Sequence, residues 1–170
     1  MKNTSTFKIV SSALFCALVF VGTFISIPTP SFGNVNLGDA FLLIGGYLLG
    51  PYAILACPLG ASLCDLASGY TIYAPATFII KALMVCSIML NKKYLQKVIK
   101  NQKVFLIIAF IIAELIMALG YLGYELIIYD FSAFANLPFN LVQGSVNIVV
   151  ATVLMVVLSK FKILDKYKDK

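Results

Sequence analysis

One lysine, two glutamates, three carboxamides and a group of tyrosines sit inside otherwise apolar stretches, and these are the side chains with which this sequence could do chemistry. Lys81 lies in PATFIIKALMVC and Glu114 in IIAELIM; Tyr121 follows Glu114 by seven residues and Glu125 by eleven, close to one helical face. Asn140, Gln143 and Asn147 recur at i, i+3 and i+7, which lays three amides along one stripe of a helix made otherwise of leucine, valine, isoleucine and phenylalanine. Groups of this kind can line a polar cavity, bond one helix to another, or move protons. The last is poorly supported. Histidine is absent, which removes the usual general base and the usual zinc ligand. Cys16, Cys57, Cys64 and Cys86 lie apart in apolar runs with no metal-ligand spacing and read as small buried residues. A membrane-embedded enzyme would have to use Asp65, Glu114 or Lys81, which are scattered rather than clustered. No catalytic residue, no metal site and no bound cofactor are expected.

The elements that position these groups follow from composition. With 61% hydrophobic residues, 12% charged residues and a mean hydropathy of +0.98, the 170-residue chain cannot cover a globule with polar surface. It reads as an all-α integral membrane bundle, a single domain over residues 1–170. Six spans fit: about Phe7 to Ile27, Asp39 to Leu49, Tyr52 to Leu66, Ala74 to Leu90, Val104 to Ile128 and Pro138 to Leu158. The first lacks a small-residue cleavage site before Pro28 and is kept as a helix rather than a signal peptide. It carries Ala13 and Ala17, a small-residue pair that lets another helix come close. Ile27 to Gly38 has loop chemistry, Gly50-Pro51 is a turn, and Pro58 with Gly60 predicts a bend or break in the third helix. Ala67 to Tyr73 and Tyr129 to Leu137 are loops, and Asn91 to Lys103 is hydrophilic.

All thirteen basic residues are lysines, and twelve of them flank spans. Lys2 and Lys8 precede the first; Lys92, Lys93, Lys97, Lys100 and Lys103 lie between the fourth and fifth; Lys160, Lys162, Lys166, Lys168 and Lys170 follow the sixth. Six spans put all three regions on one side, which the positive-inside rule makes cytoplasmic, with both termini there. The net charge of +6 therefore points to orientation against membrane lipid and not to nucleic acid.

Lys81 is the thirteenth lysine, seven residues into the fourth span and about 10 Å deep. An ionisable group at the centre of a span costs about 2.5–3.5 kcal/mol on insertion scales, so it marks a bundle interior or an aqueous cavity. Two readings stand for Lys81 and the amide stripe: a polar cavity open to the outside and walled by helices four to six, or hydrogen bonding between helices. Glu114 either joins that cavity or pairs with Lys81. Tyr70, Tyr73, Tyr121, Tyr124 and Tyr129 form an interfacial belt or, in a cavity, stack on a planar ring. Asp39, opening a helix after a loop, reads as an N-terminal cap, and Asp65 as a tie between loops.

The short six-helix layout, the AxxxA pair, NLGDA after the first loop, the GxxxGP turn and GYTIYAPATFIIKAL together resemble the substrate-binding (S) component of energy-coupling factor (ECF) vitamin transporters, in the riboflavin-type branch. The resemblance covers nearly the whole chain, and the ordered run from GD to YAPxTxxIK is its specific part. It implies a cell-membrane protein that binds a vitamin or vitamin precursor and works with a transmembrane T component and two ATPases. By the same resemblance Ala13 and Ala17 face the T component, the loop between helices one and two covers an outward site, and the bundle rotates in the bilayer to deliver its ligand. The sequence has no GxxxxGK[ST] phosphate loop, so ATP would be used by partner subunits. Riboflavin, pyridoxine, hydroxymethylpyrimidine and thiamine precursors all suit a site of Lys81, Glu114, Tyr121, Glu125, Asn140, Gln143, Asn147, Tyr70 and Tyr73.

Overall fold

A backbone in apolar surroundings must satisfy its own hydrogen bonds, and this chain does so almost entirely with helices. The computed structural model describes residues 4–30 and 34–160. In order these form α1 (Thr4–Phe24), strands β1 (Ser26–Pro28) and β2 (Asn34–Asn36), α2 (Gly38–Leu49), a 3-10 turn (Gly50–Tyr52), α3 (Ala53–Ala67), α4 (Ala74–Val98), α5 (Gln102–Tyr129), a second 3-10 turn (Asp130–Ala135) and α6 (Leu137–Lys160). Lys2, Lys162, Lys166, Lys168 and Lys170 lie outside the described residues. Among the described residues, five continuous stretches are long and apolar enough to cross a membrane: Thr6–Phe24, Gly38–Ala67, Ala74–Val98, Gln102–Ala135 and Leu137–Lys160.

The second of those stretches is folded back on itself. Gly50, at φ 57°, takes a conformation that an L side chain disfavours, and it reverses the chain. The reversal is seen in the packing: Cys57 Sγ lies 2.9 Å from where a Cβ on Gly45 would sit. In one straight helix those two residues would be about 18 Å apart. α2 and α3 therefore make an antiparallel helical hairpin. Its α2 arm is the most enclosed element, with Leu42, Leu43 and Ala40 fully buried against Val85, Met84 and Ile88 of α4 and with Phe105 and Phe110 of α5 in the same core. Outward-facing residues such as Leu55, Ile79, Leu119 and Val149 remain exposed, as lipid-facing positions should be.

Four expectations need correction. α1 ends at Phe24 rather than Ile27, because residues 26–28 pair as a strand: Ser26, Ile27 and Pro28 oppose Asn36, Val35 and Asn34 in antiparallel register. The first loop is thus a β-hairpin, with β-branched Ile27 and Val35 facing each other and Pro28 at the strand end. The break allowed for at Pro58 is absent, since α3 continues through it from Ala53 to Ala67. α4 continues to Val98, since NKKYLQKV is made mostly of good helix formers and its last turn places Lys97 at the negative end of the helix dipole. The segment from Tyr129 to Leu137 is wound into the second 3-10 turn rather than left irregular.

Gly60 explains how α1 and α3 approach. Any Cβ there would run into the main-chain carbonyl of Cys16 on α1, so only glycine allows this crossing. All four cysteines are free.

Candidate functional site

Two helices that start on the hairpin side of the bundle bring the first charged pair together. α2 opens after β2 and puts Asp39 in its first turn, while α4 opens after Tyr73 and puts Lys81 two turns in. Lys81 Nζ donates to Asp39 Oδ1 at 2.5 Å, with both side chains almost fully buried. The expected cap is absent: Leu37 holds the N-cap position without a side-chain bond, and the Asp39 carboxylate is turned inward. The expected alternative partner of Lys81, Glu114, is likewise not in contact with it; Asp39 takes that role. Asp39 wins because a carboxylate opening α2 can accept from α4 and α6 at once. Its second oxygen accepts from Gln143 Nε2 at 2.8 Å.

The amide stripe of α6 fastens the hairpin. Gln143 Oε1 accepts from the backbone N–H of Asn36 at 3.1 Å, so one side chain joins β2 to Asp39. Asn147, fully buried, accepts from the Ala40 N–H at 2.9 Å and donates to the Asn36 carbonyl at 2.9 Å. Asn140 stands one turn before Gln143, near the N-terminal end of α6, with its Nδ2 lacking a partner.

Above Lys81 a polar cavity is enclosed between α3, α4, α5, α6 and the hairpin. It is lined by Lys81, Tyr70, Tyr73, Tyr121, Glu125, Asn140 and Gln143 among the expected residues, and also by Thr23, Asn34, Asn36, Ala61, Asp65, Thr77 and Asn136. The enclosed volume is about 50 Å³, and about 510 Å³ of empty space when its mouth is included. Thr77 and Tyr121 hydroxyls meet at 2.9 Å across the α4–α5 contact, and Lys81 Nζ lies 5.3 Å from the centre of the Tyr121 ring.

At the rim of the cavity Tyr73 is the centre of an aromatic group, its ring 6.3 Å from Tyr70, 6.5 Å from Tyr121 and 5.6 Å from Tyr124. Its hydroxyl donates to Glu125 Oε1 at 3.3 Å, and Asn136 Nδ2 donates to the same oxygen at 2.6 Å. Burial, followed by the nearby Glu125 carboxylate, raises the Tyr73 phenol far above its ordinary value and keeps it a neutral donor.

Two expected site residues face elsewhere. Asn147 is spent on backbone groups behind Gln143. Glu114 packs over Gly144 and lines a separate notch of about 170 Å³ between α5 and α6, with neither carboxylate oxygen bonded. Asn140 borders both spaces. Thr23, Asn34, Asn36, Ala61, Asp65, Thr77 and Asn136 line the cavity without being expected there, and Asp39 holds its floor through Lys81 and Gln143. Asp39 and Asp65 carried a signal, being acids in apolar surroundings, but were read as local structural groups. On the opposite side, Ala13 and Ala17 line an apolar groove between α1 and α3 whose walls include Phe20, Tyr52, Leu55 and Leu59.

A bundle of apolar-surfaced helices enclosing a small polar cavity at one end, with no cluster of three metal-ligating residues among the described residues, defines a membrane-embedded binding protein. The family comparison gives that class its place: the chain belongs to the ECF-type riboflavin transporter S component family, whose model matches residues 3–160. It is a multi-pass membrane protein and a vitamin-binding transporter subunit, in a family that is not a class of enzymes. Comparison with curated proteins gave no match.

Proposed function

We propose that this chain is the substrate-binding subunit of an ATP-driven ECF importer for a vitamin or vitamin precursor of the riboflavin, pyridoxine, hydroxymethylpyrimidine or thiamine-precursor class. The observation that carries the reading is the polar cavity under the β-hairpin, walled by tyrosines, amides and a buried lysine in a bundle whose outside is apolar. Planar polar heterocycles suit such a lining: aromatic faces stack, and a few polar groups fix orientation. Sites for ligands of this size run to roughly 300–1,000 Å³. An enclosed space of about 50 Å³ therefore has to open, and the hairpin is the element to move, since it is held to α6 by only a few side-chain bonds.

Six passes with both termini in the cytoplasm suit the lysines: Lys92, Lys93, Lys97, Lys100 and Lys103 gather at the α4–α5 end, opposite the cavity. Energy comes from ATP used by two ATPase subunits, coupled through a T component that docks on the Ala13 and Ala17 groove. This chain holds no cofactor of its own.

Equilibrium binding of a vitamin panel to the purified protein, with mass spectrometry of copurifying small molecules, tests the reading. Retention and saturable binding of one panel member are expected. Binding of none would leave an accessory subunit as the better account. Ala13→Trp fills the groove and should leave binding intact while abolishing uptake with the partner subunits; unchanged uptake would move the docking face elsewhere.

A further inference from the structure

The charges around the cavity do not balance. Among the described residues Lys81 is its only basic side chain, and that ammonium is already matched by Asp39 at 2.5 Å. Asp65 and Glu125 remain on the wall, with no other cationic side chain lining the cavity among the described residues. Glu125 is 1% exposed, and its oxygens are treated unequally. Oε1 accepts from both Tyr73 and Asn136, an arrangement that suits a carboxylate, whereas Oε2 is buried without any partner. An orphaned buried carboxylate oxygen is costly until a donor reaches it.

Resting on the transporter reading above, we propose that the site selects a heterocycle bearing a positive charge, with the charged or N–H donor group placed against Glu125 Oε2 and Asp65 and the ring lying against Tyr73 and Tyr121. The aromatic groups agree with this placement. Tyr121 already offers its face to the Lys81 ammonium at 5.3 Å, and the Tyr73 ring stands 6.5 Å from it at a tilt of 46°, so a flat cation lying along this pair meets aromatic surface as well as carboxylates. An uncharged ring without a donor would leave Oε2 buried and unsatisfied, and a phosphorylated or carboxylate-bearing ligand would bring a third anion into a low-dielectric space. Charge, more than size, is therefore the discriminating property.

The test uses the full-length protein in lipid nanodiscs and four probes: thiamine, whose ring is permanently cationic; pyridoxamine against pyridoxine, which differ in an ammonium for a hydroxyl; and neutral riboflavin. Tightest binding is expected for a cationic probe, with pyridoxamine preferred over pyridoxine. Glu125→Gln, which keeps shape and removes charge, should weaken the cationic probe by about thirtyfold or more, the scale for breaking a buried charge pair. Should that variant fold poorly, Asp65→Asn provides a second reading in the same direction. Tightest binding of riboflavin or pyridoxine, or cation affinity indifferent to both substitutions, overturns the charge assignment and leaves the transporter reading standing. Binding of no probe, with other panel vitamins also silent, overturns both.

Discussion

Lys81 Nζ and Asp39 Oδ1, forty-two positions apart in sequence, lie 2.5 Å from each other inside the bundle, and this pair joins α4 to α2 where the cavity floor begins. Removing one partner strands the other charge in a medium that solvates it badly. Lys81→Met or Asp39→Leu alone should destabilise by about 3–5 kcal/mol, and the double substitution should recover most of the loss. Thermal unfolding in detergent measures all three. Singles as stable as the double would mean that the pair is solvated and not truly buried.

The hairpin clasp makes a local prediction. Asn147 bonds the Ala40 N–H and the Asn36 carbonyl, so Asn147→Leu leaves two main-chain groups unsatisfied at the base of the hairpin. A loss of about 1–3 kcal/mol is expected, concentrated there. Hydrogen exchange should quicken over Asn34–Asn36 while the α5 core stays protected. Uniform acceleration, or none, would show that Asn147 holds something other than the hairpin.

Gly60 sets the distance between α1 and α3. Gly60→Val must push the Cys16 backbone away, with a cost of about 1–3 kcal/mol or more for overpacking. The same displacement reshapes the groove that Ala13 and Ala17 line. A Gly60→Val protein with unchanged melting temperature would contradict this crossing geometry.

Glu114 carries the opposite sign. Its two oxygens are buried without partners, so Glu114→Leu should raise stability by about 1–3 kcal/mol. A lowered melting temperature would reveal a partner for this carboxylate, and vitamin affinity lost in the same variant would bring it into the site.

Much of this architecture is legible in the amino-acid sequence. Lys81 declared itself because no apolar helix carries an ammonium without cause, and the α6 amides did so through their i, i+3, i+7 recurrence, which fixed them on one face. Periodicity names a face, however, and not what it faces. Nothing in the sequence distinguishes Gln143, which reaches the cavity, from Asn147 one turn on, which is used up by the backbone. Asp39 was misread for a related reason: an acid at the start of a helix looks like a cap, and only the packing of α2 against α4 and α6 shows a long-range acceptor. The β-hairpin was hidden by Pro28 and Pro30, which argue for loop, because three-residue strands leave too little alternation to read. Pro58 does not break its helix, since an enclosing bundle lets a helix continue through a proline that would end it in water.

The folded-back pair α2 and α3 has a consequence for the lipid around it. Twelve and fifteen residues of helix rise about 18 Å and 22 Å, well under a hydrocarbon thickness of about 30 Å. α2 is shielded inside the bundle, but α3 exposes Leu55, Leu59, Leu63 and Leu66. Acyl chains along that flank must compress to meet so short a wall, at a cost of a fraction of a kcal/mol per Å of mismatch. The groove beside Ala13 and Ala17 thus opens beside a wall too short for the full hydrocarbon thickness. A partner helix that settles there relieves the compression, and a thicker membrane strengthens that pull.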